Sequence, residues 1–288
     1  MPELPELEVV RDVLQQRVVG RTIARVEVIP PGGPVVVRDL TLSGFAAALT
    51  GQTITAVVRR GKFLVFSIRG DAPGLFLAVN PKLTGRLQLA DRAAKRLPKT
   101  HVVFTLADGR QLRYVDQKQM GQLYLTGELQ AVPDFAGLGP EPFEVTLGEF
   151  RQRLRPYRGE IKGVLTRGEF IAGIGNAYAD EILWAARLHP FRKRTQLTDE
   201  EIGRLYEAVQ STLLEAVEKV RLEMGEAIHL KPRDFLAVHM KTGEPCPRCG
   251  TRISLVGANQ RITNFCRTCQ PGGLIQGMLV GTRRLDPR

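Results

Sequence analysis

The first twenty positions carry apolar residues at helical spacing, with polar residues between them. Apolar positions recur at Leu7, Val10, Val13, Leu14 and Val18. Proline near the start and glycine at the end are typical of helix boundaries. The pattern therefore predicts an amphipathic helix over 5–20 with one buried face, and it places Pro2 and Glu3 directly before the first turn.

From position 22 to position 126 the pattern changes to short apolar runs of the kind that form strands. Asp108-Gly109 predicts a hairpin turn between two of them, and several strands at this spacing predict a β-sandwich or barrel. A stretch rich in proline and glycine over 130–145 indicates a linker. The predicted strands are 22–29, 53–68, 75–79, 86–89, 101–106, 111–116 and 122–126.

Beyond the linker the pattern is helical. Capping boxes begin at Thr146 and Thr198, and the second precedes a long helix with a continuous apolar face. A further helix over 177–186 is opened by Gly173 and Gly175. These glycines allow a close approach and leave backbone N–H groups to hold a phosphate, although helix packing explains the pair equally well.

The four cysteines of the chain form two CxxC pairs with sixteen residues between them. Two such pairs complete a tetrahedral thiolate site, which predicts one structural zinc ion. Two disulfides or a redox dithiol are the alternatives. The predicted zinc-stapled hairpin presents arginine to a phosphate backbone, although a ribbon used only for folding stays open. The predicted ligands are Cys246, Cys249, Cys266 and Cys269.

Composition narrows the class of partner. The net charge is +11, which favours a polyanion, and nucleic acid is the commonest one. No apolar run approaches the length of a membrane span, and the start lacks a signal pattern, so we expect a cytoplasmic protein without membrane contact.

The start of the chain has a reactive pattern. Removal of Met1 would leave the secondary amine of Pro2 beside the carboxyl group of Glu3. An α-amino group is neutral more often at pH 7 than a lysine is, so it can attack an electrophilic carbon and form a Schiff base. The neighbouring acid can protonate a leaving oxygen. The alternative is an ordinary helix start.

Several motifs occur together in one order: Met-Pro-Glu-Leu-Pro-Glu at 1–6, Arg-Arg-Gly-Lys-Phe-Leu at 59–64, Gly-Ile-Gly-Asn-Ala-Tyr-Ala at 173–179 and CxxC-x₁₆-CxxC. In this combination the chain resembles the formamidopyrimidine-DNA glycosylase / endonuclease VIII family of DNA repair enzymes. The resemblance implies an α+β multidomain fold. Its parts are an N-terminal β-sandwich with a leading helix (1–132), a helix–two-turn–helix domain (133–239), a four-cysteine zinc finger (240–273) and a tail (274–288).

The resemblance also implies a bifunctional glycosylase and AP lyase that acts, as a monomer, on a damaged base flipped out of double-stranded DNA. Pro2 would be the nucleophile and Glu3 the proton donor, with Glu6 in support. Lys62 would serve β-elimination and Arg261 δ-elimination. The implied DNA contacts are Leu83, Lys99, Lys118, Gln119, Met120, Arg158, Lys162 and Asn176.

The chain departs from the family pattern where DNA is read. Leu83 stands in place of a methionine wedge, Gln119 in place of an arginine, and Met120 in place of a phenylalanine. Asn80 replaces a usual histidine. The segment 221–238, which in some members caps the extruded base, is short.

These departures favour formamidopyrimidines, further-oxidised guanines or oxidised pyrimidines over 8-oxoguanine. They also leave two alternatives: an endonuclease VIII-like enzyme for oxidised pyrimidines, or a non-catalytic lesion-binding protein on the same scaffold.

Overall fold

The structure is a computed structural model that describes residues 1–69, 74–258 and 261–272, and all of their side chains except those of Ala258 and Arg261. The predicted 274–288 tail lies outside the described residues. The chain divides into two compact units. The first comprises Met1–Thr146, Arg167–Gly175 and Leu213–Phe235, and the second comprises Leu147–Thr166, Asn176–Thr212 and the described residues from Leu236 onward.

The first unit is built on two sheets that follow the helix at the start of the chain. Its elements are α1 (Leu4–Arg17), β1 (Ile23–Val28), α2 (Gly33–Val36), β2 (Val37–Asp39), α3 (Phe45–Leu49), β3 (Thr53–Arg60), β4 (Phe63–Arg69), β5 (Leu75–Asn80), β6 (Gly85–Asp91), β7 (Thr100–Leu106), β8 (Arg110–Asp116) and β9 (Gln122–Thr126).

One sheet has the order β2-β9-β5-β4-β3 and the other has the order β1-β7-β8-β6. The central strands β4, β8 and β9 are buried at nearly every position, whereas the outer strands β1 and β3 are only partly buried. The α+β class and the sandwich with a leading helix are confirmed. The predicted single strand over 53–68 is wrong, because Gly61, with φ +56°, turns the chain between β3 and β4 and makes a hairpin.

Helix α1 buries its apolar stripe against β3 and β4. Two carboxylates share this buried side, since Glu3 at the N-cap and Glu6 in the first turn are both almost fully buried. Acidic groups at a helix N-terminus are stabilised by the free N–H groups there. Burial of both groups still requires specific partners.

Two loops pass side by side from one sheet to the other. The 81–84 loop leads from β5 to β6, and the 117–121 loop leads from β8 to β9. In one sheet Asn80 pairs with Gln122, and in the other Gly85 pairs with Asp116. The two loops therefore begin and end beside each other.

The second unit is helical with a small hairpin. The long helix α7 begins here and ends in residues of the first unit, and its predicted apolar face is buried from Ile202 to Val220. No helix among the described residues is both long and apolar enough to cross a membrane. The remaining elements are α4 (Leu147–Leu154), α5 (Ile161–Leu165), α6 (Asn176–Ala185), α7 (Asp199–Met224), β10 (Ser254–Ala258) and β11 (Arg261–Phe265).

Candidate active site and metal centre

The Glu3 carboxylate is held at the start of α1 by groups from distant parts of the chain. Its Oε2 accepts a hydrogen bond from the Gly175 N–H at 2.8 Å, and its Oε1 lies 3.7 Å from Arg233 Nη2. The Glu3 N–H donates to Glu6 Oε2 at 2.9 Å. Glu3 is 2% exposed, so these contacts fix the orientation of a carboxyl group that lies next to Pro2.

The Gly173-Ile174-Gly175 turn makes room for this carboxylate. A Cβ at Gly175 would stand 2.3 Å from the Glu3 carboxyl carbon, and a Cβ at Gly173 would stand 2.9 Å from the Leu4 side chain. The sequence predicted a close approach here, with N–H groups left for a phosphate. The close approach is present, but the Gly175 N–H is bound to Glu3 instead.

Two cations from the segment after α7 surround the first residues. Arg233 donates from Nε to Glu6 Oε1 at 2.8 Å and from Nη2 to the Met1 carbonyl at 2.9 Å. The pKa of the Met1 amine is lowered to about 4, first by burial and then by a hydrogen bond with Lys231 and the charges of Lys231 and Arg233. These surroundings favour a neutral amine at this end of the chain.

Lys62 lies at the tip of the β3–β4 hairpin. Burial lowers the pKa of its ammonium, while the Glu3 carboxylate opposes that shift. The Lys62 ammonium therefore interacts electrostatically with the Glu3 carboxylate.

The two arginines before Lys62 form hydrogen bonds with the 139–141 segment of the same unit. Arg59 Nη1 donates to Glu141 Oε2 at 2.6 Å, and Arg60 Nη2 donates to the Gly139 carbonyl at 2.6 Å. The Gly61 N–H donates to Glu141 Oε1 at 2.7 Å. The basic cluster thus fixes the turn that carries Lys62.

A small, partly open pocket lies beside Pro2 and Glu6. Its wall is mostly apolar, with Arg86 and Lys231 as the cations in its lining. Arg86 donates to the His229 carbonyl at 2.9 Å, which attaches the segment after α7 to the sandwich.

The predicted wedge residues lie on the two loops between the sheets. Leu83 is 39% exposed and Met120 is 47% exposed. Lys118 is exposed and Gln119 is half-buried. Lys99, just before β7, is also exposed. Both apolar side chains are therefore accessible to a partner at the loop tips.

In the second unit, two predicted DNA contacts are bound to the zinc hairpin. Lys162 Nζ lies 2.6 Å from Asp180 Oδ1 and donates to Thr263 Oγ1 at 2.9 Å. Asn176 Nδ2 donates to the Ile262 carbonyl at 2.8 Å. Both side chains thus support β11, the strand in which Arg261 lies.

Arg158, another predicted DNA contact, is exposed. The side chain of Arg261 lies outside the described part of the structure, so its role stays a prediction.

The four cysteine sulfurs lie within 4.8 Å of one another. Cys246 Sγ is 3.8 Å from Cys269 Sγ, and Cys249 Sγ is 3.4 Å from Cys266 Sγ. A tetrahedral zinc ion with Zn–S bonds near 2.3 Å needs sulfurs roughly 3.8 Å apart, so the cluster fits one zinc ion. With four protein ligands, that ion would stabilise the module and leave no position for a substrate.

Sequence reasoning missed residues that hold the site together from a distance. Arg233 and Lys231 lie in the segment 221–238, for which the sequence indicated only a short length. Glu141 lies in the 130–145 stretch that the sequence indicated only as a linker. Glu181 is buried and accepts three backbone N–H bonds, from Ala237 to His239. Each is a charged residue whose partners only the fold reveals.

Comparisons with known proteins agree with this geometry. The family model of the formamidopyrimidine-DNA glycosylase N-terminal domain matches residues 1–123, that of the formamidopyrimidine-DNA glycosylase H2TH domain matches 138–225, and that of a zinc finger found in FPG and IleRS matches 243–272. The three models together cover most of the chain.

Relatives of similar length match from end to end. The chain is 40% identical to formamidopyrimidine-DNA glycosylase from Symbiobacterium thermophilum, over 100% of this chain and 94% of that protein. The solved complex of Lactococcus lactis Fpg with DNA containing an abasic site has a TM-score of 0.82 at 34% identity, over 94% of this chain and 100% of that one. A variant of the Lactococcus lactis protein with DNA containing Fapy-dG has a TM-score of 0.81 at 35% identity, over the same shares. This chain belongs to the formamidopyrimidine-DNA glycosylase family.

Proposed function

We propose that this protein is a bifunctional DNA glycosylase and AP lyase that removes oxidised bases, formamidopyrimidines above all, from double-stranded DNA. The observation that carries the proposal is the fixed Glu3 carboxyl group beside Pro2, held by the Gly175 N–H and flanked by Lys62 and Arg233. An amine in cationic surroundings next to an oriented acid suits attack on a sugar carbon.

Each residue has one role in the reaction. The neutral nitrogen of Pro2, exposed when Met1 is removed, bonds to C1′ of the damaged nucleotide, the glycosidic bond breaks with its electrons leaving on the base, and the base takes up the proton that the Pro2 nitrogen loses. Glu3 gives a proton to the ring oxygen as the C1′–O4′ bond opens, which leaves an iminium between Pro2 and C1′. Loss of a C2′ proton then expels the 3′ phosphate.

The other site residues support those steps. Lys62 neutralises charge on the departing phosphate in β-elimination, and Arg261 does the same for the 5′ phosphate in δ-elimination. Glu6 holds the Glu3 backbone and Arg233 in place. The pocket beside Pro2 receives the extruded base.

The second unit contributes DNA binding in this proposal. The zinc ion of the four-cysteine site stabilises the hairpin that carries Arg261. Arg158 and Lys99 add phosphate contacts, and the net charge of +11 favours association with the polyanion. The four-part domain division (1–132, 133–239, 240–273 and 274–288), a cytoplasmic location and a monomeric state belong to the same proposal.

The test is strand cleavage by three variants of the purified protein. Glu3→Gln should abolish cleavage at an abasic site, and Pro2→Gly should slow it, because its primary amine forms an imine in place of the permanently cationic iminium; both variants should keep DNA binding within about twofold. Asp12→Asn is the matched control, since it removes a half-buried carboxylate of the same helix, one that pairs with Arg221. Unchanged cleavage by Glu3→Gln and Pro2→Gly would show that the catalytic assignment is wrong.

A further inference from the structure

The two loops that connect the sheets are joined by one buried carboxylate. Asp116 ends β8, is fully buried, and stands at the base of the 117–121 loop. Its Oδ1 accepts hydrogen bonds from Thr84 Oγ1 in the 81–84 loop and from the Lys118 N–H at 3.2 Å. Its Oδ2 accepts from the Gly121 N–H at 2.8 Å. One side chain thus binds both loops.

Thr84 makes a second link between the same loops. Its Oγ1 donates to Asp116 and also accepts a hydrogen bond from the Lys118 N–H at 3.0 Å. A hydroxyl that donates and accepts at once fixes its own rotamer. Movement of one loop relative to the other would break bonds at both ends of this link.

The Tyr114 hydroxyl is a further hydrogen-bond partner of the Asp116 carboxylate. Tyr114 is fully buried, and its hydroxyl donates to Asp116 Oδ2 at 3.2 Å. A Cβ at Gly85 would stand 2.2 Å from that oxygen, and a Cβ at Gly121 would stand 1.8 Å from it. Only glycine fits at these two loop ends, so both loops close on the same hydroxyl.

The tips of the two loops differ from the buried, hydrogen-bonded residues around Asp116 because they are exposed to solvent. Leu83 and Met120 are exposed apolar side chains; Leu83 adjoins Thr84, and Met120 follows Asp116 by four positions in the same loop. Lys82, with φ +47°, and Gln119, with φ +54°, hold left-handed conformations that carry a strain cost in non-glycine residues. Such a cost persists where the surrounding contacts dictate the backbone.

We propose that Thr84, Tyr114 and Asp116 are positioning residues that hold the two loops as one unit, so that Leu83 and Met120 enter the duplex together when a damaged base is extruded. The inference rests on the proposed function. An apolar wedge fills the gap left by a flipped base, and its effect depends on its placement. If the two tips moved independently, each insertion would carry a separate ordering cost.

The test compares the excision of one lesion in two duplexes under single-turnover conditions. In the first duplex a formamidopyrimidine lies opposite cytosine, and in the second it lies opposite a baseless sugar, where extrusion needs little unpairing. Thr84→Val keeps the volume and removes the hydroxyl. We expect about tenfold slower excision opposite cytosine, because small misplacements have large effects. Opposite the baseless sugar the rate should stay within about twofold of the parent rate.

Matched variants separate positioning from damage to the fold. Thr84→Ser keeps the hydroxyl and should restore the parent rate. Thr105→Val removes a hydroxyl from β7, in the sheet that also contains β6 and β8. Thr105 accepts a hydrogen bond from Gln111 there, and its loss should leave the excision rates on both duplexes unchanged. Tyr114→Phe acts on the same carboxylate from the other side and should reproduce the Thr84→Val pattern, which keeps the test available if Thr84→Val does not fold.

A second readout is independent of chemistry. A fluorescent base analogue placed next to the lesion brightens when the wedge unstacks it, and we expect a smaller increase with Thr84→Val than with Thr84→Ser. The inference is overturned if Thr84→Val and Tyr114→Phe excise at the parent rate opposite cytosine, or if both duplexes slow equally. Failure of the parent protein to excise from either duplex would instead contradict the proposed function.

Discussion

Gly175→Ala tests the placement of the proposed acid without altering the acid itself. The new Cβ would lie 2.3 Å from the Glu3 carboxyl carbon and within 2.6 Å of both of its oxygens. Since van der Waals contact begins near 3.4 Å, the carboxyl group must withdraw by roughly 1 Å and lose its hydrogen bond to the Gly175 N–H. A displacement of that size at a reacting group costs on the order of 100-fold in rate.

The same geometry predicts little effect on stability. The clashing atoms are the end of a flexible side chain, so relaxation costs less than the roughly 1–3 kcal/mol of an overpacked core. Gly33→Ala is the opposite control, because its Cβ would lie 2.8 Å from the His101 backbone carbonyl, which yields less easily. That variant should lower the melting temperature and keep the rate per folded molecule.

The assay is single-turnover cleavage of a duplex with one abasic site, together with thermal unfolding of each variant. We expect Gly175→Ala to be slow and stable, and Gly33→Ala to be fast and less stable. Cleavage by Gly175→Ala at the parent rate would refute the reasoning, because Glu3 would then tolerate a shift that a positioned proton donor does not tolerate.

Three further predictions concern other parts of the chain. Removal of zinc by a chelator should change the fluorescence of Trp184, the single tryptophan, because its indole N–H contacts a ligand sulfur at 3.4 Å; unchanged emission after verified metal loss would contradict this. In protein that retains Met1, Lys231→Met should raise the pKa of the Met1 amine, measured by an NMR titration; an unchanged pKa would exclude Lys231 as a cause. Glu141→Ala should lower the free energy of unfolding by about 3 kcal/mol in urea titrations, because it leaves buried Arg59 without one carboxylate partner; a loss below about 1 kcal/mol would show that the remaining partners suffice.

Local patterns predicted the elements whose signals lie within a short window. Helix α1 and most strands follow from periodicity, and the zinc ligands follow from spacing. The β3–β4 hairpin was missed because only Gly61 and Lys62 lie between the two strands, so no longer loop separates their patterns. A turn with one glycine gives a weaker signal than Asp108-Gly109.

Local sequence patterns could not predict the contacts that shape the site. The hydrogen bond from the Gly175 N–H to Glu3 joins residues far apart in sequence, and the glycine pattern there is equally consistent with phosphate binding. Arg233 belongs to a segment without helix or strand, so no periodicity marks it. The Asp116 cluster depends on the register of two strand pairs, which a single sequence does not specify.

The most direct test of the central claim is borohydride trapping on a duplex with one formamidopyrimidine lesion, followed by mapping of the adduct by mass spectrometry. The protein should first be shown by intact mass to have lost Met1. We predict a covalent adduct on the N-terminal peptide, at the nitrogen of Pro2. The absence of an adduct, or an adduct at a lysine such as Lys62, would contradict the account.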